Sequence, residues 1–204
     1  MNEFDVKARS WDDDPVKRER ARVIAEAIKA SVPLDGTMSA LEYGCGTGLL
    51  SFALRPSLGS IILADSSEGM LEVLRRKLRS SGISTMCPVA LDLAVDPLPA
   101  ERVDLIYSAM TLHHVPDTDR LLERFRALLN PAGILCIADL DQEDGSFHGP
   151  EFTGHKGFDR QELAAKASRA GFREIRFSTV FALEKEAGGA RRVFPVFLMV
   201  ARIA

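Results

Sequence analysis

The chain has 204 residues, a length that suits one α/β domain with a sizeable core. Hydrophobic residues make up 46% of it and charged residues 27%, a composition that excludes collagen-like, disordered and membrane-embedded classes. Its 26 Lys and Arg residues against 29 Asp and Glu give a formal net charge of −3, which argues against a strongly basic nucleic-acid-binding surface.

The ends of the chain and its cysteines bear on its compartment. Residues 1–14 are too polar for a signal peptide, and the apolar stretch at 193–201 is too short to span a bilayer. Cys45, Cys87 and Cys136 form no C-x-x-C pair, which argues against a disulfide scaffold or a zinc knuckle. We expect a cytoplasmic protein with reduced thiols and no membrane span.

Helical and strand-like hydrophobic periods alternate along the first half of the chain. Pro56 and Gly82 mark the ends of two of the helices. The predicted elements are, in order, a helix at Val16–Ala30, a strand at Met38–Tyr43, a helix at Leu49–Leu54, a strand at Ile61–Ala64 and a helix at Met70–Leu78. This order is typical of a βαβ crossover.

The second half alternates in the same way until its last part. The predicted elements are strands at Thr85–Leu91 and Val103–Ser108, a helix at Asp119–Leu129, a strand at Ile134–Leu140 after an Asn130–Pro131 turn, a helix at Arg160–Ala170, and strands at Arg173–Leu183 and Val193–Ile203. Pro88 favours an edge position for its strand because it lacks an N–H. The linker Glu184–Arg192, with Gly188 and Gly189, predicts a hairpin, so the parallel sheet should finish with an antiparallel pair.

The strongest local signal is a glycine-rich turn between the first strand and the next helix. Its sequence, E-Y-G-C-G-T-G, occupies residues 42–48, where glycines let the backbone approach a ligand closely. The dinucleotide fingerprint G-x-G-x-x-G needs its third glycine at position 49, and Leu49 stands there. A nicotinamide dehydrogenase is therefore disfavoured.

An acidic residue closes the second strand. Asp65 lies where a carboxylate can accept hydrogen bonds from both ribose hydroxyls of an adenosine-containing cofactor. It is also a carboxylate at a helix N-terminus, with Ser66 and Ser67 as candidate caps, and the two interpretations are compatible. Its position at the carboxyl end of a strand favours binding.

These motifs resemble the class I S-adenosylmethionine-dependent methyltransferases, and specifically the small single-domain group of the ubiquinone/menaquinone-biosynthesis type. The matching segments lie, in family order, at residues 41–48, 63–71, 90–93, 104–117, 129–139 and 158–172. The resemblance implies an α/β fold with a Rossmann-like seven-stranded mixed sheet, order 3-2-1-4-5-7-6, strand 7 antiparallel, and helices on both faces. Pro195 would then lie in an internal strand, so we expect it at the first rung or a bulge.

The resemblance further implies a single domain over residues 1–204, with an N-terminal helical lid segment at 1–32 and a substrate loop at 143–158. It assigns the cofactor pocket residue by residue. The implied contacts are Gly44, Gly46 and Gly48 against the methionine part, Glu42 at its ammonium, Asp65 at the ribose, Ser66, Met70, Asp92 and Leu93 around the adenine, and Ser108, Ala109 and Met110 along the methionine arm.

Several of these residues have a plainer interpretation. Met70 and Leu93 fit a periodic core equally well, and Asp92 could be an ordinary loop carboxylate. Trp11, the single tryptophan, could anchor the first helix in the core, and the resemblance offers a lid over the cofactor instead. Both interpretations stay open at this stage.

The four histidines are the candidates for chemistry, because imidazole titrates in the range useful to a base. His113 follows the fourth strand and is the favoured catalytic base, although it could simply pack there, and His114 is expected to be structural. His148 and His155 lie in the predicted substrate loop and are candidates for substrate contact. Three or four histidines near one mouth could suggest a metal, but the chain has no H-x-x-x-H spacing and no matched carboxylate pattern, so we expect no metal site.

The sequence therefore predicts an S-adenosylmethionine-dependent methyltransferase that acts on a small molecule and yields S-adenosylhomocysteine. The alternatives are a protein-directed methyltransferase and a non-catalytic S-adenosylmethionine-binding module. No nucleic-acid partner is expected, because the chain shows no basic patch with interleaved aromatic residues. The acceptor atom, and the choice between monomer and homodimer, stay open.

Overall fold

The computed structural model describes residues 3–187 and 189–203. Its strands are β1 Ser39–Tyr43, β2 Ser60–Asp65, β3 Met86–Ala90, β4 Val103–Ala109, β5 Leu129–Leu140, β6 Phe172–Ala187 and β7 Ala190–Ile203. Its α-helices are α1 Glu3–Lys7, α2 Pro15–Ser31, α3 Leu49–Leu54, α4 Glu68–Ser81, α5 Thr118–Leu128 and α6 Arg160–Arg169. In this part of the chain, no helix has the length and apolar character that crossing a membrane requires.

All the strands belong to one sheet in the order β3-β2-β1-β4-β5-β7-β6. The pairs from β3 to β5 are parallel, and β7 runs antiparallel to both β5 and β6. The predicted fold class and strand order are therefore confirmed. Pro88 lies in β3, the outermost strand on one side, where the other side of its backbone needs no ladder partner.

Each face of the sheet is covered by its own helices. The helices α2, α3 and α4 bury apolar residues such as Ile24, Leu54 and Leu74 in one core cluster. On the opposite face α5 and α6 bury Phe125 and Leu163 in a second cluster. Burial of this kind contributes roughly 25 cal/mol per Å² of apolar surface, so the two clusters hold the sheet between two helical layers.

Two predicted boundaries were wrong. The strands β6 and β7 continue to Ala187 and Ala190, so most of the predicted linker is paired strand, and Gly188 lies outside the described residues. The strand β5 already begins at Leu129, because the chain bulges against β4 where a turn was predicted. Ala132 has a positive φ of 61° within this bulge.

Pro195 lies beside the first rung between β7 and β5, which begins at Val196 and pairs it with Leu140. Its carbonyl accepts a hydrogen bond from the backbone N–H of Asp141, with an N···O distance of 3.0 Å. The register of β6 against β7 shifts between Thr179 and Phe181, next to the proline. The absent N–H is thus accommodated at a bulge, as expected.

The helix α6 begins at a side-chain cap, Asp159. The Asp159 carboxylate accepts hydrogen bonds from the backbone N–H groups of Gln161 and Glu162 at 2.8 and 2.9 Å. We expect Asp159→Ala to lower the free energy of unfolding by about 1 kcal/mol, because two N–H groups lose their acceptor. Urea denaturation checks this, with Asp159→Ser as a capping control. Equal stability of the Ala and Ser variants would contradict the cap.

Candidate functional site

A cavity of about 690 Å³ opens at the carboxyl ends of the central strands. Tyr43, Asp65 and Ala109, the last residues of β1, β2 and β4, line it. Ligands of open α/β sheets bind at this edge, next to the point where the strand order reverses. The strand order therefore places the glycine turn and the candidate acidic residues around one space.

The glycine turn borders the cavity. The backbone N–H groups of Gly44 and Cys45 donate to the carbonyl of Ala64 at 2.8 and 3.0 Å, which ties the turn to β2. Gly44 and Gly46 line the cavity with φ values of 71° and 53°. Gly48 does not line it: a side-chain carbon there would lie 2.8 Å from Leu74, because this glycine faces α4.

Asp65 joins the turn to the start of α4. Its Oδ2 accepts the backbone N–H of Gly46 at 2.6 Å, and its Oδ1 accepts that of Ser67 at 2.8 Å. Burial raises the pKa of the Asp65 carboxyl. Ser66 and Met70 line the same part of the cavity, and Met70 is also buried against the sheet.

The predicted adenine end divides into exposed and hidden residues. Asp92 lines the cavity, and its Oδ1 accepts from the Tyr43 hydroxyl at 3.3 Å and from the backbone N–H of Ala94 at 2.8 Å. Leu93 is fully buried and is not among the lining residues. The side chain of Leu93 therefore belongs to the core, as in the plainer interpretation, and does not face the cavity.

The predicted methionine arm shows a similar division. Ala109 and Met110 line the cavity, and Met110 adopts a positive φ of 55°, which is uncommon away from glycine and concentrates at functional sites. Ser108 lies behind the wall, where its hydroxyl donates to the carbonyl of Tyr43 at 2.8 Å. Ser108 thus holds β4 to β1 at the edge of the site.

Glu42 is a buried carboxyl on the cavity wall. It accepts a hydrogen bond from the hydroxyl of Ser51, which also contacts the hydroxyl of Tyr107. Burial raises the pKa of Glu42 to about 8, so that the carboxyl is largely protonated at neutral pH. A cationic ligand group beside it would favour the ionised form.

The N-terminal segment covers part of the cavity. Asp5 accepts from the hydroxyl of Ser67 at 2.6 Å, and Asp12 pairs with Lys77 at 2.7 Å. Trp11 lines the cavity, with the ammonium of Lys17 3.9 Å above its ring centre. The predicted lid residue therefore faces the site.

Three of the four histidines line the cavity. Nδ1 of the buried His113 lies 2.6 Å from Oδ1 of Asp139, a carboxylate that is fully buried on β5. His114 and His148 also line it. His155 does not line it. Its Nε2 donates a hydrogen bond to the carbonyl oxygen of Val115 at 3.0 Å, since a carbonyl can only accept.

The histidines that line the cavity lie against one another. The nitrogen atoms of His113, His114 and His148 all lie within 4.8 Å of one another. Burial, together with the neighbouring His113, lowers the pKa of His114 to about 4 and that of His148 to about 4. The two imidazoles are therefore neutral at physiological pH.

Arg20 is a candidate functional residue that the sequence interpretation missed. It lies on α2 four and eight residues before Ile24 and Ile28, on the buried face of the helix, and it lines the cavity. Within the described residues its guanidinium has no hydrogen-bond or ion-pair partner, and burial lowers its pKa. A cation within an apolar helical stripe was the signal that could have identified it.

Residues 40–133 match the family model described as a methyltransferase domain. This segment is thus similar in sequence to methyltransferase domains. An uncharacterised methyltransferase of Schizosaccharomyces pombe is 33% identical over 119 residues, which cover 55% of this chain and 42% of that protein. A ubiquinone biosynthesis O-methyltransferase of Coxiella burnetii is 30% identical over 148 residues, which cover 70% of this chain and 62% of the relative. The chain thus spans less than two thirds of these relatives.

Solved structures share the fold of this chain. An S-adenosylmethionine-dependent methyltransferase from Aquifex aeolicus superposes with a TM-score of 0.69 at 21% identity, covering 98% of both chains. The N-methyltransferase NodS of Bradyrhizobium japonicum, in complex with S-adenosylhomocysteine, gives 0.69 at 18% identity and covers 94% of this chain and 89% of its own. The resemblance stated from the motifs is thereby confirmed.

The raised pKa of Glu42 gives the protein a pH-dependent stability. Folded Glu42 keeps its proton up to about pH 8, whereas the usual pKa is 4.5, so unfolding between these values releases a proton and becomes easier as pH rises. Over this range we expect the free energy of unfolding of the wild type to fall by up to about 1.4 kcal/mol per pH unit, whereas Glu42→Gln lacks this dependence. The stability of the variant minus that of the wild type should therefore rise with pH and level off above this range. Denaturant titrations from pH 5 to pH 9 check this, and a constant difference would contradict it.

Proposed function

We propose that this protein is an S-adenosylmethionine-dependent methyltransferase that transfers a methyl group to a small-molecule acceptor and releases S-adenosylhomocysteine. The observation that carries the proposal is the convergence of the glycine turn, Asp65 and Asp92 on one cavity. The family match and the fold support S-adenosylmethionine as the methyl donor.

The residues at the cavity fit the polar groups of this donor. A carboxylate has about four acceptor positions, and the two backbone hydrogen bonds of Asp65 leave room for two ribose hydroxyls. Oδ2 of Asp92 has no partner among the described residues, which suits the exocyclic amine of adenine. We assign Asp65 to the ribose and Asp92 to the adenine.

The opposite end of the cavity suits an amino-acid group. Arg20 offers a guanidinium without a partner in the described chain, which matches a carboxylate. Glu42 offers a carboxyl whose ionised form an ammonium would stabilise. Because the methionine part of the donor carries both a carboxylate and an ammonium, these two residues are assigned to it.

When bound, the donor supplies a methyl group activated by its sulfonium. The contribution of the protein is to align the acceptor with that methyl group and to exclude water. Trp11 and the N-terminal segment over the cavity serve the second purpose. This enclosure favours a small-molecule acceptor over a protein side chain.

His113 is assigned as the base that takes a proton from the acceptor. Because Nδ1 is 2.6 Å from Asp139, that nitrogen carries the hydrogen and Nε2 is left as the acceptor of a proton. The buried carboxylate also fixes the ring orientation and stabilises the imidazolium that forms. The pair is therefore placed for general base catalysis beside the cavity.

A binding experiment tests the donor assignment without knowledge of the acceptor. Calorimetric titration with S-adenosylmethionine, S-adenosylhomocysteine and NAD should show saturable binding of the first two alone. We expect Asp65→Ala to weaken binding of S-adenosylhomocysteine by about 2 kcal/mol, roughly 30-fold, because charge-assisted hydrogen bonds are lost. The exposed carboxylate Asp35 provides a control, Asp35→Ala. Equal affinity of the two variants would refute the pocket assignment.

The base assignment is tested once an acceptor has been found by a substrate screen. We expect His113→Ala to lower kcat by roughly 100-fold or more, because general base catalysis contributes about that much, while the affinity for S-adenosylhomocysteine stays within a few-fold. Asp139→Asn should also lower kcat, because the imidazolium that forms loses the carboxylate that stabilises it. Unchanged turnover by His113→Ala would refute the assignment of His113 as the base. If the wild-type protein bound the donor but turned over no acceptor, the binding-module alternative would be favoured.

A further inference from the structure

Two separate segments bring three imidazoles to one corner of the cavity. His113 and His114 come from the 3₁₀ segment Leu112–His114 after β4, and His148 comes from the long loop after β5. The ring centroids are 4.2 Å apart for His113 and His114, 5.0 Å for His113 and His148, and 5.4 Å for His114 and His148. The cluster thus faces one shared volume.

The spacing of the imidazole nitrogens is close to what one metal ion requires. Zn²⁺ binds imidazole nitrogen at about 2.0–2.1 Å, so two ligands of a tetrahedral site are about 3.3 Å apart. The nitrogens here lie within 4.8 Å of one another. His148 is exposed in its loop, so rotation of its side chain can close the difference.

Asp139 supplies an independent observation that points to a ligand. Metal-binding histidines usually donate their second ring nitrogen to a carboxylate or carbonyl, which fixes the tautomer and the ring orientation. His113 has this arrangement, with Nδ1 2.6 Å from the buried Asp139. Its Nε2 is therefore the nitrogen left for the cavity.

We propose that His113, His114 and His148 bind one divalent transition-metal ion of the Zn²⁺ type, with the remaining coordination positions open to the cavity. Three imidazoles with an open position are a known ligand set for catalytic zinc. The sequence expectation of no metal rested on the absence of H-x-x-x-H spacing and of a matched carboxylate pattern. These ligands come from two segments, which only the fold brings together.

The role of the ion rests on the proposed methyltransferase function. A bound divalent ion would coordinate a hydroxyl or thiol of the acceptor and lower its pKa, and the released proton would go to solvent. Nε2 of His113 cannot hold a metal ion and a proton at once. In the metal-bound protein, the ion would therefore replace His113 as the group that activates the acceptor.

Metal binding is measured on the full chain after treatment with a chelator, with no methyl donor present. Titration with Co²⁺ should give the visible ligand-field bands of a four- or five-coordinate ion at one equivalent, and Zn²⁺ should displace it. We expect His114→Ala and His148→Ala to weaken binding by at least about 100-fold, and Asp139→Asn by about 10–100-fold. His155→Ala is the matched control and should bind as wild type does.

Two results would overturn the metal site: no binding by the wild-type protein, or binding that is unchanged in both His114→Ala and His148→Ala. Circular dichroism of each variant is the check that it is folded, and His148→Ala, in a loop, is the variant least able to disturb the core. Binding of S-adenosylhomocysteine to the metal-free protein is measured separately. If the wild-type protein did not bind S-adenosylhomocysteine, the proposed function alone would be refuted. If it did not bind Co²⁺, the metal site alone would be refuted.

Discussion

The hydrogen bonds that tie the glycine turn to β2 set the geometry on which the site depends. Gly44 and Cys45 donate to the carbonyl of Ala64, and Gly46 donates to the carboxylate of Asp65. Because the turn follows β1, these bonds fix the space between two neighbouring parallel strands at their carboxyl ends. The turn needs positive φ at Gly44 and Gly46, which residues with a side chain adopt at a cost. The glycines of the turn and the position of Asp65 therefore depend on each other, because the turn can reach the Asp65 carboxylate only with a backbone that glycine adopts easily.

Several ionisable groups around the cavity are held at an energetic cost. Burial raises the pKa of Glu42 and Asp65 and lowers that of Arg20, so each is less stable in its charged form than in water. A fold selected for stability alone gains little from such groups, because buried charge without a partner is unfavourable. Their positions around one cavity indicate that a ligand with complementary charges supplies what the protein lacks. The buried Asp139 differs, since His113 already provides its partner.

The strand order was implied by the family resemblance, whereas the sequence itself predicted a parallel sheet with an antiparallel final pair, because the alternation of helical and strand-like periods is local. It predicted the glycine turn and Asp65 for the same reason, since both depend on residues close in the chain. The start of β5 and the length of the β6–β7 hairpin were missed because pairing with a neighbouring strand decides them. The loop histidines were expected above the same pocket, but the contact of His148 with His113 was not predicted, because loop conformation decides it. Arg20 was missed because it is a cation in register with the apolar Ile24, and hydrophobic periodicity does not identify a charged residue on the buried face.

The N-terminal segment is held differently from the rest of the fold. No residue of α1 is buried, and the contacts of the segment with α4 and the glycine turn include those of Asp5 to Ser67 and Asp12 to Lys77. Polar contacts at half-exposed positions contribute little each, so opening this segment costs less than unfolding the sheet. A ligand that contacts Trp11 would add apolar burial to these contacts. The segment that encloses the cavity is thus the part of the structure whose stability most depends on what the cavity holds.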